Sequence, residues 1–155
     1  MKGTIFLIGL FLLINFGGLA IGNWLMNDGP NTSWYLSLNK APWTPPGWVF
    51  GVAWTTIMIC FSIYLAYLFK LQYSTFVLTL FIVEFVLNVS WNYIFFNQHL
   101  VLFALIVIVL LTSLIFYFFF TFKANEMLQL RWLLLPYMLW LCIATSLNLY
   151  VLLHN

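Results

Sequence analysis

Trp34-Tyr35-Leu36-Ser37-Leu38-Asn39-Lys40-Ala41-Pro42-Trp43-Thr44-Pro45-Pro46-Gly47-Trp48-Val49-Phe50-Gly51-Val52-Ala53-Trp54 runs from a polar connection into an apolar segment. Pro42, Pro45 and Pro46 lack backbone donors and fix φ, and each biases the preceding residue away from the helical region. No continuous helix can therefore cover this stretch. Its stiffness also sets it apart from a flexible linker, which would be rich in glycine and serine. Two readings follow. Trp and Tyr collect at headgroup depth in membrane proteins, so the stretch can be a plain interfacial belt. It can also be a lid, its rigidity lowering the entropy cost of closing over a ligand.

Composition places the stretch beside a membrane. Hydrophobic residues make up 65% of the 155 and charged residues only 5%, against roughly a quarter charged in soluble chains. The formal charge of +2 rests on eight charged side chains and carries no signal for nucleic acid. Cys60 and Cys142 lie in apolar runs and read as small buried hydrophobes, not as a disulfide framework or a zinc site. Five apolar runs, at about 4–25, 48–69, 75–96, 100–122 and 132–153, each approach the ~20 residues that a bilayer-spanning helix needs. The first has a signal-peptide flavour, but its run continues past Ala20 and reads as a retained span. The expected fold is an all-α membrane protein: a single domain over 1–155, a five-helix transmembrane bundle with a lid loop at 26–47. Lys2, Lys70, Lys123 and Arg131 fall on the N-terminal side and Lys40 alone on the other. The positive-inside rule then puts the N terminus in the cytoplasm and the lid outside.

Polar side chains within such spans face the bundle interior or a cavity. The third span carries Glu84, Asn88, Trp91 and Phe95 on one helical face, and the fifth carries Tyr137, Trp140, Ala144, Leu147 and Asn148. The second carries Phe50, Trp54 and Phe61. Such stripes serve packing more often than binding. Depth favours a pocket here: at 1.5 Å per residue, Trp54, Trp91, Asn88 and Ala144 lie about 9–14 Å below their outer helix ends, and Trp140 about 20 Å. Apolar walls with a few convergent polar groups characterise small-molecule sites. Indole N–H groups and Asn88 suit a carbonyl or carboxylate, and the rings suit a flat aromatic guest.

Glu84 is the costliest residue, about 2.5–3.5 kcal/mol for an acid at helix centre. It is either a neutral acid bonded to a neighbouring helix or a group that handles a ligand or a proton. His99 and His154, at outer helix ends, read as solvated rather than as axial ligands. Gly18 and Gly22 form a GxxxG that admits a close helix neighbour, within the bundle or across a dimer. No nucleophile–base set, paired carboxylates, phosphate loop or metal cluster is visible. Acid–base catalysis is thereby disfavoured, and redox or light-driven chemistry on a bound chromophore stays open.

Trp34-Tyr35-x-x-Leu38-x-Lys40-x-Pro42-Trp43-x-Pro45-Pro46, continuing into Trp48-Val49-Phe50-Gly51 and Trp54, resembles the first-loop signature of the TspO/MBR family, the translocator or tryptophan-rich sensory proteins. Leu87-Asn88-x-x-Trp91-x-x-x-Phe95-Phe96 resembles its third-span motif. Leu135-Pro136-Tyr137-x-x-Trp140-x-x-x-Ala144-Thr145-x-Leu147-Asn148 resembles its fifth. Glu84 stands where the family commonly has Gln. The resemblance implies a bacterial cell-membrane protein, commonly a homodimer, that binds protoporphyrin IX or related tetrapyrroles and benzodiazepine-type ligands under the first loop. Its implied pocket is Tyr35, Trp43, Trp54, Asn88, Trp91, Trp140 and Ala144, to which the loop and the fifth stripe add Pro45, Tyr137 and Asn148. Trp54 and Trp140 match positions implicated in light-dependent porphyrin breakdown. The porphyrin is a ligand in this reading; no cofactor or metal is expected. The alternative is a carrier of porphyrins or other hydrophobic small molecules, proton-linked through Glu84.

Overall fold

The computed structural model describes residues 2–124 and 126–155. Among them the regular structure is helical: α1 (Lys2–Met26), α2 (Ser33–Ser37), α3 (Gly47–Gln72), α4 (Thr75–Asn92), α5 (Val101–Thr121), α6 (Met127–Leu130) and α7 (Leu135–His154). Five are the expected spans, since α6 and a 3₁₀ turn at Arg131–Leu134 run into α7 as one continuous stretch from Met127 to His154. Large apolar side chains such as Leu13, Val52, Ile82, Leu110 and Leu139 lie exposed on the helix surfaces, as hydrocarbon allows and water does not.

Local chemistry sets the ends. Asn27 and Asp28, both left-handed (φ 48° and 58°), terminate α1, a conformation their short polar side chains tolerate. Thr32 caps α2 by accepting from Tyr35 N–H at 3.3 Å, and Ser74 caps α4 by accepting from Val77 N–H at 3.2 Å. Pro45 and Pro46 stop α3 from extending back into the lid. At its outer end α4 widens into a π-helical turn, Tyr93–Asn97, and His99 at φ 57° turns the chain into α5.

With lipid around it, the bundle gains little from apolar burial between helices, so packing and sparse polar contacts hold it together. Asn15 donates to Ser62 Oγ at 2.8 Å between α1 and α3, and Tyr64 donates to the Phe118 carbonyl at 3.3 Å between α3 and α5. Tyr137 on α7 donates to Glu84 on α4 at 2.7 Å, and the Thr112 and Thr145 hydroxyls meet at 3.2 Å between α5 and α7. Each such bond contributes about 0.6 kcal/mol on average, up to about 1.7. Glu84 is thus a buried acid bonded to a neighbouring helix.

The GxxxG of α1 faces inward. A Cβ at Gly18 would lie 2.6 Å from Phe85 and one at Gly22 2.7 Å from Asn92, so the close neighbour is α4 of the same chain. Gly29 is tighter still: its Cβ would meet Phe96 Cβ at 2.5 Å, where no side-chain rotation gives relief. Gly29→Ala is expected to cost about 1–3 kcal/mol by overpacking and to lift the start of the lid off the π turn. Thermal unfolding in detergent checks this; a variant as stable as the parent would show that the lid is not seated on Phe96.

Candidate functional site

Four helices converge below the lid. Phe50 and Trp54 come from α3 and Asn88 and Trp91 from α4; Ile108 and Leu111 come from α5, and Trp140, Leu141 and Ala144 from α7. They enclose a hollow of about 40 Å³. That is close to the ~30 Å³ share of a single water and far below the roughly 300–1,000 Å³ of small-molecule sites. The space is closed by the rings themselves, Phe50 standing edge-on to Trp140 at 5.0 Å. A larger depression of about 330 Å³ between α1 and α4, lined by Leu25, Phe85, Val86, Val89, Ser90 and Tyr93, opens outward. It is an apolar surface groove, whereas the smaller hollow has the enclosing walls and convergent polar groups of a site.

The polar groups around the hollow differ in what remains available. Trp91 donates its N–H to Asn148 Oδ1 at 3.1 Å, and Asn148 donates to the Val101 carbonyl at 3.1 Å. Both side chains are engaged within the protein. Among the described residues, Trp54 Nε1, Trp140 Nε1 and the Asn88 amide make no hydrogen bond, and none of them is sealed from its surroundings without a partner. Their polar groups are unengaged within the protein. Tyr137 lies just below, edge-on to Trp54 at 6.0 Å.

Above the hollow sits a second aromatic layer built on Phe95, Ala104 and Val151, against which Trp34, Tyr35 and Leu38 of the lid pack, with Trp91 bridging the two levels. Trp34 stacks on His99 at 4.0 Å. Tyr35 lies on Phe96 at 5.2 Å with the Lys40 ammonium 4.5 Å over its ring. Burial pushes the Tyr35 phenol above its usual pKa, so the pair is a neutral ring facing a cation. The far side of the lid is fastened to α7. Trp43 N–H donates to Ser146 Oγ at 3.1 Å, and its ring meets Tyr150 edge-on at 5.4 Å. Asn39 and Asn155 exchange two hydrogen bonds, of 2.8 and 3.3 Å. His154 stacks on Tyr150 at 3.8 Å.

The family model for the TspO/MBR family matches residues 10–153. This chain belongs to the TspO/MBR family. It is 33% identical over 120 residues to protein CrtK of Rhodobacter capsulatus, covering 75% of this chain and 74% of that one. It is 35% identical over 121 residues to the tryptophan-rich protein TspO of Bacillus cereus, covering 75% and 76%. To the human translocator protein it is 31% identical over 126 residues, covering 77% and 73%. Five spanning helices and this membership make it an integral membrane protein.

Within this TspO/MBR fold, Trp54, Asn88, Trp91, Trp140 and Ala144 share the hollow. Tyr35, Trp43 and Pro45 do not line it: they belong to the lid and its fastenings. Tyr137 and Asn148 sit behind the wall, each bonded to another helix. Sequence reasoning passed over Ile108, Leu111 and Leu141. Apolar residues in apolar helices carry no contrast, and nothing in the local pattern marked these three.

Proposed function

We propose that this TspO/MBR protein takes a flat, largely apolar guest of tetrapyrrole type into the hollow, as a sensor or scavenger of reactive pigments or as the site of their light-dependent breakdown. The observation that carries this reading is the set Trp54, Trp140 and Asn88: three side chains from three helices, with no hydrogen-bond partner among the described residues, lining one aromatic space below the fastened first loop. Benzodiazepine-type ligands, flat and carbonyl-bearing, suit the same groups. At about 40 Å³ the hollow must open to receive either, with Phe50 and Trp140 parting and the lid lifting. The basic residues support a cytoplasmic N terminus in a bacterial cell membrane, with the lid outside. A homodimer belongs to the same reading. Carrier activity linked to Glu84 is less favoured, because that carboxyl is 1% exposed and bonded to Tyr137.

The test is a protoporphyrin titration in detergent, dark and illuminated, followed by quenching of protein fluorescence. Trp54→Phe and Trp140→Phe keep a ring but lose the N–H. Each is expected to weaken binding by about 0.5–1.5 kcal/mol, the value of one hydrogen bond. Trp140→Phe is further expected to slow pigment loss in the light more than it weakens binding. Absence of saturable quenching in the parent protein would remove the reading.

A further inference from the structure

Glu84 and Tyr137 are each 1% exposed, and the phenol donates to Glu84 Oε1 at 2.7 Å. The Tyr137 ring meets Trp54 edge-on at 6.0 Å and Phe61 at 5.4 Å. Trp54 lines the hollow, and so does Trp140, one turn from Tyr137 on α7. A carboxyl this deep is expensive, and joining α4 to α7 needs only a neutral amide. The pair has another property. It brings an oxidisable indole, an oxidisable phenol and a carboxyl into consecutive contact.

The geometry points to a redox relay in which Tyr137, with Glu84 as its proton acceptor, refills an electron vacancy on Trp54. A one-electron oxidant in the hollow, such as a photoexcited pigment, takes an electron from the indole and leaves its radical cation. Tyr137 gives one electron to that ring, and its phenolic proton passes along the hydrogen bond to Glu84 in its ionised form, the only form able to take it, so the step runs on the alkaline side of the Glu84 titration. The products are an intact Trp54, a neutral tyrosyl radical and a neutral carboxylic acid. A phenol yields an electron readily only when its proton has somewhere to go, because the phenol radical cation is a strong acid. The step also replaces a positive indole and a negative carboxylate by neutral groups, which a low-dielectric interior favours once the attraction of the original pair is outweighed by their desolvation. The relay goes beyond ligand binding: it moves the oxidising equivalent away from the wall of the hollow before oxygen attacks the indole.

Laser photo-ionisation of the protein's own tryptophans, in detergent and without any pigment, tests the relay apart from the tetrapyrrole reading. In the parent chain, decay of the indolyl absorption is expected to be matched by growth of tyrosyl absorption. Tyr137→Phe keeps the ring against Trp54 and Phe61 and should lose that component, leaving a longer-lived indolyl radical. Trp54→Phe should lose the same component. Glu84→Gln still accepts the phenol's hydrogen bond but takes no proton, and should lose it with the phenol in place. Circular dichroism and melting confirm that the variants are folded. Superimposable traces for the parent and Tyr137→Phe would overturn the relay, as would a Glu84→Gln trace equal to the parent's. Either result would leave pigment binding to be judged by its own titration.

Discussion

Replacing Asn148 by leucine is expected to lower the unfolding free energy by about 1–3 kcal/mol, the largest stability loss expected from a single polar residue of this bundle. Asn148 is 2% exposed and joins three helices: it accepts from Trp91 on α4 and donates to the carbonyl of Val101 at the start of α5, while sitting on α7. Leucine has the same branched outline and is somewhat larger, so the loss is not a cavity effect. It removes the acceptor of a half-buried indole N–H, and an orphaned donor costs about 1–3 kcal/mol where it is buried. The lower end applies where the unfolded helices find other partners within the membrane. Trp91 stacks on Phe95 at 5.1 Å, so freeing its N–H also loosens the boundary between the hollow and the lid layer. Unfolding by a denaturing detergent measures the effect. Trp91→Phe removes the other end of the first bond, and the double variant should lose less than the sum of the single ones. Strictly additive losses would mean that the two side chains act independently.

The example shows how far the sequence could be read. Periodicity placed Asn148 on the same stripe as Trp140 and Ala144, and the stripe does face the interior. It could not say whether two polar groups brought inward would await a ligand or bond each other. Trp91 and Asn148 bond each other, and so do Glu84 and Tyr137; Trp54, Trp140 and Asn88 do not. The helices themselves were legible because apolar runs of bilayer length have few other solutions. Their ends shifted where polarity hides helicity: the fifth span begins at Met127 because its first turns carry Gln129 and Arg131, which a hydropathy pattern reads as loop. The π turn at Tyr93–Asn97 had no marker, since its residues would suit an α-helix equally well. The prolines marked a loop that cannot be helical throughout, whereas its fastenings join residues more than a hundred positions apart, such as Trp43 with Ser146 and Asn39 with Asn155. No local pattern encodes those.

Trp43→Ala is expected to speed both uptake and release of a tetrapyrrole, by about tenfold to a hundredfold, while changing affinity little. The Trp43 indole fastens the lid to α7 through one hydrogen bond to Ser146 and one edge-on contact with Tyr150. Together these hold the closed lid by about 1–3 kcal/mol, and each 1.4 kcal/mol removed from an opening barrier is about tenfold in rate. The direction for affinity follows from where the contacts lie. They join protein to protein and are absent from the lining of the hollow, so they are present in the closed protein with or without a guest. Their loss lowers the barrier from both sides. A wall residue such as Trp54 behaves differently, because its contact exists only in the loaded state and its loss appears in release alone. Asn155→Ala, which removes the paired hydrogen bonds to Asn39, should act like Trp43→Ala and more weakly. Stopped-flow fluorescence with protoporphyrin separates the cases. Faster release with unchanged uptake in Trp43→Ala would place that indole against the guest rather than in the fastening of the lid to α7, and would return it to the binding set from which the closed geometry removes it.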